Sequence, residues 1–390
     1  MTELSLGEFE FYWQISESGF SRLPNVLPFR FGTRETLPFL LSRRVGAEDI
    51  NTLNYMYTLD SNVGYLQDSN SLGVAYGHDL MSKIAALRLS SSSEFSRGRK
   101  PKVLEIGCGG ASVLRQLASE AMECVGIDPS PIARDALSGS GIELIADFFP
   151  NQLDGRKFDF VFCADVLEHL EDPLDFLVSC GNHLVEGGLL LVSVPDCTRS
   201  IETGDVSIAL HQHLSYFDTL SLRTILEKAG FAQVTVEAAK YGGSLYGTGV
   251  RLHSYSAGTS LVAGSTRAVE GFFNKASKSI ASVQQEIKRS LDDSDSVGIY
   301  VPLRGLPYLG TDSRLRRAAS EFRLFDDTPS WQGKRIQERL SRIENFSQLV
   351  QNPVRSLFVM SLTFGEVISR NVLEVLGSQL RVVTLDSMLD

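Results

Sequence analysis

Four apolar runs of this chain stop at or beside a carboxylate: Val103-Leu104-Glu105-Ile106, Val125-Gly126-Ile127-Asp128, Ile145-Ala146-Asp147 and Cys163-Ala164-Asp165. The first leads into Gly107-Cys108-Gly109-Gly110-Ala111-Ser112, which reads as a glycine turn between a buried strand and a helix. Such a turn brings backbone N–H groups close to a ligand at the C-terminal edge of a parallel sheet. The dinucleotide spacing G-x-G-x-x-G/A, begun at Gly107, requires Gly or Ala where Ser112 stands. Glu105 beside a pyrophosphate would also be repelled, whereas a cation would be attracted. The chemistry indicated is the holding of a positively charged ligand.

S-adenosyl-L-methionine fits that description, because its sulfonium and amino groups are positive and its nucleoside carries no phosphate. Asp128, 21 positions after Gly107, is placed to accept the ribose hydroxyls. Asp147 is placed to accept from the adenine amino group, with Phe148 near the ring. The candidate cofactor set is Glu105, Gly107, Cys108, Gly109, Asp128, Pro129, Asp147, Phe148 and Ala164. Taken singly, Glu105 also reads as a solvent-facing strand end, and Asp128 as the N-cap of a helix opening with Pro129. Taken together on successive strand ends, these residues resemble class I S-adenosylmethionine-dependent methyltransferases.

The elements that must position them follow a strand–helix rhythm. Strands are expected at 102–107, 122–128, 142–147, 158–165 and 188–195, and helices at 111–121, 130–139, 172–184 and 217–229. The fold class is α/β, a doubly wound Rossmann-like parallel sheet. The short stretch Lys240-Tyr241-Gly242-Gly243 between strand-like runs 231–239 and 244–255 predicts an antiparallel hairpin at one end. Before this domain, residues 1 to about 88 are aromatic-rich without clear alternation, and a polar linker runs through Ser90-Ser91-Ser92-Ser93 and Arg97 to Lys102. After it, apolar positions Val269, Phe273, Ala276, Ile280, Val283, Ile287 and Leu291 predict one long amphipathic helix, read as a bridge more readily than as a coiled-coil dimer. A second α/β rhythm begins at 297. The expected organisation is an N-terminal cap (1–89), the cofactor domain (90–258), a linking helix (259–295) and a C-terminal α/β domain (296–390).

The 390 residues carry a formal net charge of −10. This disfavours nucleic acid or an anionic membrane as the main partner, since both select a basic face. Cys108, Cys124, Cys163, Cys180 and Cys197 form no CxxC and read as reduced core thiols. With no apolar signal core at the N-terminus and no run long enough to span a bilayer, a cytoplasmic location is expected. The oligomeric state is left open.

Two of six histidines fall in Leu210-His211-Gln212-His213-Leu214-Ser215-Tyr216-Phe217. In an extended segment, His211 and His213 would point the same way, and histidine titrates where a base is needed. This motif, with Asn62-Val63-Gly64-Tyr65 and Gly242-Gly243-Ser244-Leu245, resembles sugar C-methyltransferases that act on nucleotide-linked keto-deoxysugars. The resemblance implies a small-molecule acceptor and His213 as base. It also implies Tyr65 or His169 as donor to an enolate oxygen. Gln212 departs from that family, which has Glu between the histidines; a neutral amide cannot share a proton with His213. Residues 1–107 contain no cysteine, so the family's four-cysteine zinc site is missing and no zinc is expected. An oxygen- or nitrogen-methyltransferase on the same scaffold is the alternative reading, and a non-catalytic partner with this fold the least favoured.

Overall fold

The architecture is that of a computed structural model, which describes residues 3–11, 23–57, 71–90, 99–120, 122–240, 243–252, 262–293 and 296–389. Its strands are β1 (Leu4–Glu10), β2 (Val26–Arg34), β3 (Leu37–Arg43), β4 (Lys102–Ile106), β5 (Glu123–Ile127), β6 (Glu143–Ile145), β7 (Phe158–Ala164), β8 (Leu184–Pro195), β9 (Ser215–Tyr216), β10 (Phe231–Ala238), β11 (Ser244–Arg251), β12 (Val297–Tyr300), β13 (Arg323–Phe325), β14 (Ile343–Glu344), β15 (Ser356–Val359) and β16 (Arg381–Thr384). Its helices are α1 (Ala47–Tyr57), α2 (Ser71–Ser90), α3 (Ser112–Ser119), α4 (Pro131–Leu137), α5 (Pro173–Asn182), α6 (Thr198–Thr203), α7 (Thr219–Lys228), α8 (Val262–Asp292), α9 (Pro302–Gly310), α10 (Ser313–Ala318), α11 (Phe346–Gln351), α12 (Gly365–Leu376) and α13 (Leu385–Leu389).

The chain divides into two compact units. The middle unit holds Glu48–Asp196 and Leu214–Ser265; the terminal unit holds Met1–Ala47, Cys197–His213 and Thr266–Asp390. The segment expected as a single cap is therefore shared: its strands belong to the terminal unit, and helix α2 to the middle one.

In the middle unit, seven strands run in the order β10-β11-β8-β7-β4-β5-β6. The pairs from β8 to β6 are parallel, and β11 is antiparallel to both β8 and β10. The expected hairpin is thus present. The order reverses between β4 and β7, which makes their C-terminal ends the switch point where α/β sheets bind ligands. Strand β7 reads Phe-Asp-Phe-Val-Phe-Cys-Ala and is buried through its first six residues, as a strand covered on both faces must be. Side chains cap three of the helices that follow. Ser130 caps α4 with Pro131 in the first turn, Asp172 caps α5 before Pro173, and Asp218 forms a reciprocal capping box with Ser221 on α7.

In the terminal unit, β1, β2 and β3 form an antiparallel meander. Residues Leu27, Phe29 and Phe31 of β2 point inward and alternate with exposed Pro28 and Arg30. Alternation does exist here, contrary to the sequence reading, and β3 hides it because six of its seven residues are buried. The C-terminal sheet is fully parallel, in the order β14-β13-β12-β15-β16. Helix α8 buries Val269, Phe273, Ala276, Val283 and Ile287 of the face its spacing predicted, leaves Ile280 and Leu291 half-buried, and adds Phe272 to the buried set. Gly204, at φ 75, lets α6 end against the backbone of Lys275 and Ala276. Across the unit, β1 lies against α9, where Gly310 faces Phe9; Glu10 pairs with Arg339; and Gln337 donates to the Phe11 carbonyl.

Candidate functional site

The glycine turn opens at the C-terminal end of β4. Gly107 has φ 72, and a Cβ there would lie 2.5 Å from Val166 Cγ2. Glycine is required both by conformation and by space. Gly126 on β5 is required by space alone, since its missing Cβ makes room for Cys108 Sγ as the turn folds over the strand. Helix α3 then begins at Ala111, which has φ 53 and offers no side-chain cap. Unlike α4, α5 and α7, α3 leaves its first N–H groups to other acceptors.

Glu105 is one such acceptor. It is 4% exposed, and a backbone hydrogen bond comes to it from Leu114 in the first turn of α3. Its Oε2 is buried with no hydrogen-bond partner among the described residues. Burial, followed by the nearby Asp128 carboxylate, pushes its carboxyl well above the usual range. The solvent-facing alternative is thereby excluded, and the site has a buried carboxyl with one unpartnered oxygen, on which the Arg115 cation is the least of the influences, after burial, Asp128 and the Leu114 hydrogen bond. Cys108 is held in its thiol form for the same reasons: burial first, then the charges of Glu105 and Asp128.

Asp128 is also buried. Its Oδ2 accepts from the Gly109 N–H and its Oδ1 from the Ser130 N–H, both at 2.8 Å. It therefore ties the glycine turn to the loop after β5, and the helix cap falls to Ser130 rather than to Asp128. Each oxygen retains acceptor capacity for one further donor. Pro129 lies between these two roles. Asp147 follows β6 and organises its own loop: Oδ1 accepts from the Phe148 N–H and Asn151 Nδ2, and Oδ2 from Gln152 Nε2. These donors hold its carboxyl below the usual range, and one acceptor position remains on Oδ2. Phe148 presents 45% of its surface to solvent, an apolar face available for a planar ring.

The end of β7 gathers several polar side chains. After Ala164, Asp165 takes φ 55, in the left-handed region. Tyr76 of α2 lies 2.6 Å from Ser193 Oγ, 3.1 Å from Ser244 Oγ and 3.5 Å from Asp165 Oδ1. Glu168, in a 3-10 turn at Leu167–His169, is 1% exposed, and both its oxygens lack hydrogen-bond partners among the side chains around them. The Glu168 Oε1 to His169 Nε2 distance is 3.7 Å, and the Leu214 N–H donates to the Glu168 carbonyl. Burial raises the carboxyl groups of both Asp165 and Glu168, and Asp165 adds to the rise at Glu168. The carboxylate-rich string Asp165 to Glu171 and the Gly242-Gly243-Ser244-Leu245 motif signalled parts of this cluster in the sequence; Tyr76 and Ser193 carried no signal.

The His-x-His segment belongs to the terminal unit and is not extended. His211 and Gln212 lie in a turn closed by the His213 N–H on the Leu210 carbonyl. The two imidazoles are consequently not presented by strand alternation. His211 is 2% exposed, with Nε2 3.0 Å from the Leu27 carbonyl and its ring among Phe9, Phe11 and Phe29. Burial, reinforced by the Arg43 cation, takes its pKa down to about 3, so it is a neutral core residue. Gln212 is buried and His213 half-buried. Tyr65 lies outside the described residues. All five cysteines are free and buried, and no described helix is long and apolar enough to cross a membrane.

Residues 76–236 match the family model of the methyltransferase domain. A ubiquinone biosynthesis O-methyltransferase of Actinobacillus pleuropneumoniae serotype 7 is 36% identical over 104 residues, which is 24% of this chain and 44% of that protein. A tRNA U34 carboxymethyltransferase of Aliivibrio fischeri is 32% identical over 154 residues, covering 34% of this chain and 45% of that protein. The chain thus spans less than half the length of these curated relatives. Among solved structures, a magnesium protoporphyrin IX methyltransferase from Synechocystis PCC 6803 covers 52% of this chain and 99% of its own, with 18% identity and a TM-score of 0.38. An N-methyltransferase from Bradyrhizobium japonicum WM9 covers 52% and 98%, with 20% identity and a TM-score of 0.38.

Proposed function

We propose that this chain is an S-adenosylmethionine-dependent methyltransferase acting on a small-molecule acceptor. The observation that carries this reading is Glu105, a buried carboxylate with an unpartnered oxygen beside an uncapped helix and a glycine turn. The positive groups of S-adenosylmethionine are what such a site lacks. Glu105 and the turn would hold the amino-acid end, Asp128 the ribose, and Asp147 with Phe148 the adenine. When bound, that cofactor supplies an activated methyl group; the protein's part is to orient the acceptor, exclude water and remove a proton. The methyltransferase family match over 76–236 supports the same reading.

For the acceptor, the resemblance of His211 to Phe217 supports a nucleotide-linked keto-sugar methylated at carbon, with His213 as its base. A second reading, methylation at oxygen or nitrogen, is supported by Gln212 and by the O-methyltransferase among the relatives. Calorimetry with S-adenosylmethionine tests the cofactor assignment. Wild type should bind, and Asp128→Ala, which frees the Gly109 and Ser130 N–H groups, should lose at least about tenfold in affinity. Equal binding by the two proteins refutes the assignment. Product mass spectra from a panel of nucleotide-sugars and phenols would separate carbon from heteroatom methylation.

A further inference from the structure

Asp165 is the residue whose placement the cofactor assignment leaves unexplained. It stands at the switch point, at the C-terminal end of β7, and the next residue, Val166, fills the space left by the bare Cα of Gly107. A non-glycine residue at φ 55 is held there by its surroundings, because such backbone is unfavourable for most side chains. Its N–H is fixed on the Ser193 carbonyl at 3.0 Å. One oxygen faces the Tyr76 hydroxyl, and that hydroxyl is in turn held by Ser193 and Ser244. No cation of the middle unit pairs with it among the described residues, and the residue is half-buried rather than sealed.

We propose that Asp165 is the proton acceptor for methyl transfer to a hydroxyl or amine, and that Tyr76 positions it. This deepens the heteroatom reading above and rests on it. For a hydroxyl acceptor, the O–H proton passes to a carboxylate oxygen of Asp165. A lone pair of the acceptor's hydroxyl oxygen forms the new bond to the methyl carbon, and the carbon–sulfur pair leaves with sulfur, turning a sulfonium into a neutral thioether. The Tyr76 contact, at 3.5 Å, is long for a hydrogen bond and would tighten as the carboxylate carries charge. The groups that face Asp165 are Tyr76 on α2, Glu168 in the 3-10 turn, Tyr246 on β11 and Cys163 on β7. None is a cation, and burial keeps its proton affinity above that of an ordinary aspartate, in the direction a base needs.

The test compares two probes by calorimetry: S-adenosylhomocysteine, which is neutral at sulfur, and sinefungin, which carries an amine where the donor methyl would be. Asp165→Asn keeps the left-handed backbone, which asparagine tolerates. It should bind S-adenosylhomocysteine within about twofold of wild type but lose at least about tenfold of the preference for sinefungin. Tyr76→Phe should lose part of that preference near neutral pH and regain it as the pH is raised, because removing the donor raises the pH at which Asp165 ionises. Asp165→Asn should regain nothing. An unchanged probe ratio in Asp165→Asn overturns the proposal, as does loss of both probes in that variant, which would mark a structural role. A wild-type protein that binds neither probe overturns the cofactor reading itself.

Discussion

Replacing Glu105 with glutamine should produce a protein that is more stable when empty and poorer at holding its ligand. In the structure the Glu105 carboxylate is 4% exposed, one oxygen has no partner, and Asp128 is a like charge nearby. An unsatisfied buried polar group costs roughly 1–3 kcal/mol, and more if charged. Glutamine removes the charge while keeping the shape. The expected gain, about 1–3 kcal/mol, corresponds to roughly 2–10 °C in melting temperature for a unit of about 200 residues. The pH dependence has a definite sign. Because the folded-state pKa is raised, the folded protein binds more protons than the unfolded chain between the ordinary glutamate range and that raised value. Wild-type stability therefore falls as pH rises through this window. The advantage of Glu105→Gln should accordingly be small near pH 5 and grow towards pH 8. Binding should move the other way, since losing a charged hydrogen-bond acceptor worth about 1.5–3 kcal/mol weakens S-adenosylmethionine by roughly 10- to 150-fold. Thermal denaturation across pH, with and without S-adenosylmethionine, measures both effects. A variant that melts lower than wild type at pH 8, or binds equally well, refutes the reasoning.

Gly107→Ala should destabilise the middle unit by about 2–4 kcal/mol, combining the left-handed backbone cost with overlap on Val166. Urea denaturation monitored on the middle unit checks it, and a loss under about 0.5 kcal/mol would mean the turn relaxes freely. His211 makes the terminal unit acid-labile. Its folded pKa of about 3 lies below the unfolded value of about 6.5, so its contribution is complete above pH 6.5 and is lost progressively as pH falls towards 3. His211→Gln should flatten the urea midpoint between pH 6.5 and 4, and an unchanged slope would assign the acid sensitivity elsewhere.

Much of the middle unit was legible in sequence because its strands are continuous apolar runs separated by helices with readable starts. Ser130-Pro131, Asp172-Pro173 and Asp218 with Ser221 are local signals that need no tertiary knowledge. The exception is informative. Helix α3 has no cap signal, and that gap is where the glycine turn meets Glu105. What stayed hidden was whatever depends on long-range packing. The inward side chains of β2 alternate, but β3, with six of seven residues buried, does not, so the meander did not stand out. His211 and His213 looked paired by spacing, whereas a turn and the aromatic rings of β1 and β2 make His211 a core residue. The Tyr76–Asp165 contact joins residues 89 positions apart, and no local pattern announces it.

The terminal unit is assembled from three separated stretches, and the order of synthesis then matters. Phe9, Glu10 and Phe11 leave the ribosome roughly 300 residues before Gly310, Arg339 and Gln337, the groups that meet Phe9, the Glu10 carboxylate and the Phe11 carbonyl. At about 5–20 residues per second the wait is on the order of tens of seconds. Throughout that interval the β-meander lacks those contacts, while the middle unit has all of its residues once Ser265 is made. A chain cut short before residue 310 would leave Phe9 and Phe11 to earlier neighbours such as Phe29 and His211, without Gly310 or the Gln337 hydrogen bond, a built-in flag by which chaperones and proteases could sort truncated copies from longer ones.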